Sequence, residues 1–280
     1  MNLSERFSSL VDAKLRFELT QKDGLVWNTR YEGNAKAGAV KVSVRSLEAE
    51  AREYDKAKGL KGQSVTDNFL TIKIDKDYAI NEIIDGYEAA AVPDNLIADR
   101  LDSAGYSLAL QMNLDATREL TTNGTEFADV ALTSKTVYAK IVDARTQLSK
   151  NKVPTLGRFL IVTPTVAGLL LQADEFINAS ALNDEVKQSG AIGRVAGFTV
   201  FEDAMLEEAT FGPDPNGKPV EFVAGHPAWC ARVREWAVEP TVKDLSGSGV
   251  YIGASSVQGR LVYAHKITNK AAVFVKTKTA

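Results

Sequence analysis

A single cysteine, Cys230, stands among 280 residues, which excludes an internal disulfide and any metal site built from several thiolates. Histidine is nearly as scarce. His226 and His265 are the only two, no HExxH or paired-carboxylate motif accompanies them, and no metal or cofactor is expected. A surplus of one charge is also missing: 33 Lys and Arg against 36 Asp and Glu leave a net charge of -3, without the basic excess of a protein that grips nucleic acid. No apolar run reaches the length of a membrane span, and Glu5, Arg6, Asp12, Lys14 and Arg16 interrupt any signal peptide. The expectation is a soluble protein made in a reducing cytoplasm, with no membrane partner. Without a secretion signal, the acceptor patterns Asn123-Gly124-Thr125 and Asn178-Ala179-Ser180 read as chance matches.

What is present is apolar content of 45%, enough to bury a substantial core as one domain or two intimately joined ones. Residues 1–38 add little to it. One amphipathic patch, Leu3, Phe7, Leu10 and Val11, precedes a polar, turn-rich run, so the segment reads as an arm laid on another surface with Trp27 and Tyr31 as anchors. Two alternations follow, Val40, Val42 and Val44 against Lys41, Ser43 and Arg45, then Leu70, Ile72 and Ile74 against Thr71, Lys73 and Asp75. These are half-buried strands. Between them a charged excursion, Glu48 to Asp67, carries Glu50, Arg52, Glu53, Asp55, Lys56, Lys58 and Lys61. A two-stranded ribbon with a charged tip is the simplest reading, and because an isolated hairpin is marginal in water it should rest on another surface.

Pro93 and Asp94 open the longest helical pattern, with Ile97, Leu101, Ala104, Leu108, Met112, Ala116 and Leu120 at steps of three or four. From Asp94 to Thr121 it should run roughly 40 Å. Ser134 to Ser149 reads as another helix, with Val137, Ile141, Ala144 and Leu148 on one face; Val220–Ala224, Ala231–Val238, Gly259–His265 and Ala272–Lys276 read as strands. The fold class is α+β, without regular alternation or internal repeat.

Two motifs imitate enzyme chemistry. Gly212-Pro-Asp-Pro-Asn-Gly-Lys-Pro219 approaches the phosphate-cradling GxxxxGK[ST] loop, but Pro213 and Pro215 remove backbone N–H donors and Pro219 replaces the hydroxyl that would meet magnesium. A tight Asn216-Gly217 turn fits better. Cys230 with His226 or His265 offers a thiol and an imidazole, yet no orienting acid is marked, and a buried cysteine acting as a small hydrophobe is the simpler reading. Gly247-Ser248-Gly249 is a bare GxG and reads as a loop.

The stretch Gly157 to Leu206, GRFLIVTPTVAGLLLQADEFINASALNDEVKQSGAIGRVAGFTVFEDAML, has an unusual order: a strand at Phe159–Val162 stopped by Pro164, a helix marked by Val166, Leu169, Leu170 and Ala173, then Gly190, Gly193 and Gly197 leading into a strand at Phe198–Phe201. This order closely resembles the major capsid proteins of tailed bacteriophages, where a "tP..a..Ll" helix, an "Fi.as" segment and a "G.iGrv.Gf.V" approach recur. The resemblance implies a Hong Kong ninety-seven-like capsid fold with an N-terminal arm (1–38), an extended loop ribbon (39–75), a peripheral domain with a long spine helix (76–124 and 231–280) and an axial domain (125–230). It implies a major capsid protein that self-assembles, through pentamers and hexamers, into an icosahedral virion shell around a double-stranded DNA genome in the host bacterial cytoplasm, without catalysis.

In that family the ribbon reaches across a neighbouring subunit, so Trp27, Tyr31, Arg52, Glu53, Lys56, Lys58 and Lys61 become candidate inter-subunit contacts. No charged helical segment precedes the arm, so a separate scaffolding protein is expected, with a portal and room for a decoration protein; the DNA is enclosed without sequence-specific binding. Some members cross-link lysine to asparagine between subunits, but no acceptor motif accompanies the ribbon lysines. The alternatives are an encapsulin-type nanocompartment shell of the same fold and, from another class, a nucleotide-binding enzyme using Gly212–Lys218.

Overall fold

The apolar run Phe159–Val162 forms a strand with all four side chains buried, because the sheet that holds it is covered on both faces. In this computed structural model the described residues are 16–31, 38–44, 51–57, 59–60, 62, 68–86, 96–173 and 193–278. In chain order the strands are β1 (Ala39–Val44), β2 (Asn68–Lys73), β3 (Lys76–Ile84), β4 (Thr125–Asp129), β5 (Phe159–Val162), β6 (Arg194–Val195), β7 (Phe198–Glu202), β8 (Val220–Gly225), β9 (Cys230–Asp244), β10 (Ser255–Ile267) and β11 (Val273–Lys278). Among the described residues three α-helices join them: α1 (Leu96–Asn123), α2 (Val137–Lys150) and α3 (Pro164–Leu171).

Six strands make one mixed sheet in the order β4-β11-β8-β5-β7-β6. Along β5 the side chains alternate between two cores. Leu160 and Val162 meet Phe198, Phe222, Ala224 and the apolar faces of α2 and α3, including Ile141, Leu148, Val166 and Leu170. Phe159 and Ile161 point the other way, into Val223, Val273, Val275, Leu120 of α1 and the arm residues Val26 and Trp27. Local chemistry fixes the helix ends. The Thr163 hydroxyl accepts from Val166 N and Pro164 occupies the first turn of α3, so the Thr-Pro pair is a helix start. At the far end of α2 the buried Arg158 donates to the Arg145, Val153 and Pro154 carbonyls and to Ser149 Oγ, a cation where the helix dipole favours one.

A second sheet, β3-β10-β9, is antiparallel throughout. The long helix α1 crosses from this sheet to the other. Ala104 packs with Ile84 and Val257, Leu108 and Met112 with Leu261 and Tyr263, and Ala116 and Leu120 with the six-stranded sheet. At 28 residues it is about 42 Å long. Its expected start at Pro93 and Asp94 lies outside the described residues, as do Leu3, Phe7, Leu10, Val11, Phe176 and Gly190.

Two sequence readings are corrected. Strand β3 is missing from the sequence reading, although Tyr78, Ile80 and Ile84 alternate toward α1. Strand β11, grouped in the sequence reading with residues 231–267, lies in the six-stranded sheet, paired parallel with β4 and antiparallel with β8. Its apolar character on both faces fits that central place. No described helix is long and apolar enough to cross a membrane.

Candidate functional site

The ribbon strands pair antiparallel, Val40 opposite Ile72 and Val42 opposite Leu70, so their apolar residues share one face. That face sits on the second sheet: Val42 and Ile72 are buried with Ala231, Val233 and Ala264, and Val40, Ile74 and Tyr31 pack around them. The base is therefore held by its own subunit. The tip is not. Every described residue from 51 to 62 is exposed, including Tyr54 at 65% and Leu60 at 53%. Asp55 closes a turn there, its Oδ1 accepting from Ala57 N and its carbonyl from Gly59 N. Among the candidate contacts, Arg52, Glu53 and Lys56 are thus displayed on the tip, whereas Lys58 and Lys61 lie outside the described residues.

The arm behaves differently. Trp27 has no exposed surface; its Nε1 donates to Gln21 Oε1 at 2.9 Å, and its ring lies against His265 and under the Arg232 guanidinium. This corrects its reading as an inter-subunit contact: Trp27 anchors the arm to its own chain. Tyr31 is half-buried beneath the ribbon base, with the Arg30 guanidinium over its ring. Further anchors follow along the arm. Thr20 Oγ1 donates to the buried Asp203 at 2.6 Å, Gln21 bonds Asn113 and Thr117 on α1, and Asn28 exchanges backbone bonds with β9 through Cys230 O and Arg232 N.

Sequence reasoning overlooked the turn between β9 and β10. There Val250, Tyr251 and Ile252 are exposed, Ile252 by 93%, at the end of the second sheet. The signal was available: three apolar residues inside Gly247-Ser-Gly-Val-Tyr-Ile-Gly253. It also overlooked Asp23, which meets Arg232 and Arg234 of β9 at 2.8 Å each.

The enzyme-like motifs resolve into structural parts. Residues 210–219 reverse the chain, with Asp214 accepting from Asn216 N and Gly217 N and with Phe211 N bonded to Lys218 O. Lys218 Nζ is paired with Glu126 at 2.8 Å, away from any phosphate cradle. A single bridge, Thr210 to Pro219, precedes the turn in place of a full strand. Cys230 is wholly buried, and that burial, with the nearby Glu119 carboxylate, pushes its thiol well above the ordinary range. Its neighbour His226 caps a short turn, Nδ1 accepting from Ala228 N while Nε2 donates to Leu156 O. Burial first, then the Arg158 and Arg30 charges, hold His226 below its usual value. The thiol and imidazole serve packing and capping.

Comparison with solved structures places this architecture. The protein of Mycobacterium phage Che8 superposes with a TM-score of 0.74 at 21% identity, covering 98% of this chain and 96% of that one. The capsid structure of the cyanophage P-SCSP1u gives 0.77 at 14% identity over 98% and 92% of the two chains. The mature capsid of bacteriophage PhiM1 gives 0.72 at 16% identity over 100% and 92%. Among curated proteins no sequence matches. The fold is the Hong Kong ninety-seven-like capsid fold, and the encapsulin alternative is not favoured. The sequence itself matches the phage capsid protein family over residues 84–275, from the end of β3 to the last sheet strand, and the chain belongs to that family as a major capsid shell protein.

Proposed function

We propose that many copies of this chain close into an icosahedral shell around double-stranded DNA, with pentamers and hexamers as units and with a portal and a separate scaffolding protein as partners. The observation that carries this reading is the ribbon: its base is seated on the subunit's own sheet, while its described tip, with Tyr54 and Leu60, is exposed. A hairpin of that kind is stable when a second surface covers it, and a closed ring of identical subunits repeats the contact at each interface. Arg52, Glu53 and Lys56, with Lys58 and Lys61, are the proposed contacts, joined by Tyr31 at the base and the Val250–Ile252 turn. Residues 125–230 with β11 form the axial part, α1 with β3, β9 and β10 the peripheral part. Assembly takes place in the host cytoplasm, and a decoration protein can bind the finished shell.

The test is replacement of residues 50–64 by a short Asn-Gly turn, followed by electron microscopy and circular dichroism. The expected outcome is a soluble subunit with near-native circular dichroism that builds no stable closed particles. Normal particles from the shortened chain, or an unfolded chain, would overturn the assignment.

A further inference from the structure

The arm is held to the body at one charged cluster. Asp23 accepts from Arg232 Nη1 and Arg234 Nη2, and Trp27 lies edge-on to His265 with ring centroids 4.7 Å apart. Arg232 is buried, and its Nε donates to His265 Nε2 at 2.9 Å. That bond needs the imidazole nitrogen unprotonated. Arg232 of β9, Lys76 of β3 and Tyr263 of its own strand act on His265 directly; behind them stand Asp23 and Arg234 beside Arg232, Tyr78 and Asp115 beside Tyr263, and Lys266 with Glu119 at the strand positions that follow. The carboxylates are already engaged: Asp23 by the two arginines, Asp115 by Tyr263 Oη and Arg118, Glu119 by Ile267 N and Asn123. The other terminal nitrogen of Arg232 finds no acceptor among the described residues. A proton on His265 therefore removes an acceptor and sets two cations against each other directly beneath Trp27.

We propose that the segment from Asp23 to Trp27 is an acid-released latch for the arm, closed while His265 is neutral and opened when His265 takes a proton. Burial, then the Arg232 and Lys76 charges, hold His265 well below its ordinary value in the docked state. Arg232, Lys76 and His265 all sit on the second sheet and stay together when the arm lifts; what leaves is the cover of Trp27, so the released imidazole is better hydrated and binds the proton more tightly, and the latch, fully closed above about pH 6.5, weakens as the pH falls below it, by up to about tenfold in the docking equilibrium per pH unit. Opening frees the arm to exchange partners between copies of the chain, while the six-stranded sheet, which contains no histidine, stays closed. The latch belongs to the single chain and stands or falls independently of the shell geometry.

Hydrogen exchange of the full chain tests it, followed in peptides covering 20–31 and, as an internal reference, 159–162, each corrected for intrinsic exchange. Between about pH 7.5 and 5.5, protection of 20–31 should fall by up to about tenfold while the reference holds. His265→Gln, whose amide oxygen can still accept from Arg232, should keep 20–31 protected across that range. Lys76→Gln removes a cation facing His265 and should move the loss of protection to higher pH. Unchanged protection in the native chain, or an identical acid loss in His265→Gln, overturns the proposal. Should His265→Gln not fold, Lys76→Gln decides it: a midpoint that stays or moves down is equally fatal.

Discussion

The six-stranded sheet and the ribbon are made from similar material, short runs of valine, isoleucine, leucine and phenylalanine, yet they end in opposite situations. In β5 consecutive residues are all buried, because α2 and α3 cover one face and α1 with the arm covers the other. In β1 and β2 only the face toward β9 and β10 is covered, and Phe69 on the other face is 65% exposed. The difference lies in the cover, not in the strands. A sheet with both faces closed supplies the subunit's own stability, whereas a ribbon closed on one face and at one end has surface left for another molecule.

The sharpest way to break this contrast is a charge in the covered sheet. Ile161→Asp places a carboxylate without a partner between Val223 and Leu120, at a cost of several kcal/mol against a total stability of about 5–15 kcal/mol. The expected result is no soluble folded chain; a soluble variant with unchanged melting would show that the two-sided core is wrong. A smaller effect is expected where the arm adds to that cover. Thr20→Val leaves one oxygen of the buried Asp203 without its donor and should lower stability by about 1–3 kcal/mol, read as a shift in the urea midpoint at constant slope. The smallest effect belongs to the tip. Lys56→Ala, at an exposed position, should change the unfolding free energy by less than about 0.5 kcal/mol while altering the yield of closed particles. A large loss of subunit stability there would mean that the tip packs on its own chain.

Much of this was legible beforehand for a physical reason. The periodicities of α1, α2, β1 and β2 report which side of an element is buried, and the buried set Val137, Ile141, Ala144 and Leu148 on α2 is the one that the spacing predicts. Strand β3 was legible too, but Asp77, Asn81 and Glu82 between its apolar residues masked the alternation. The Val250–Ile252 turn was hidden because three apolar residues in a glycine-rich loop do not say whether the loop folds inward.

The sequence alone determined most of the elements, the start of α3 and the family motif, since these depend on local chemistry: a hydroxyl beside a helix start, a proline in its first turn, apolar residues at fixed steps. Partners distant in the chain were decided only by the tertiary structure. That β11 lies between β4 and β8, that Trp27 turns inward onto His265, and that Asp23 reaches Arg232 across 209 positions all depend on which surfaces meet once the sheets have closed. Burial drives those meetings without regard to sequence separation, so no local pattern records them.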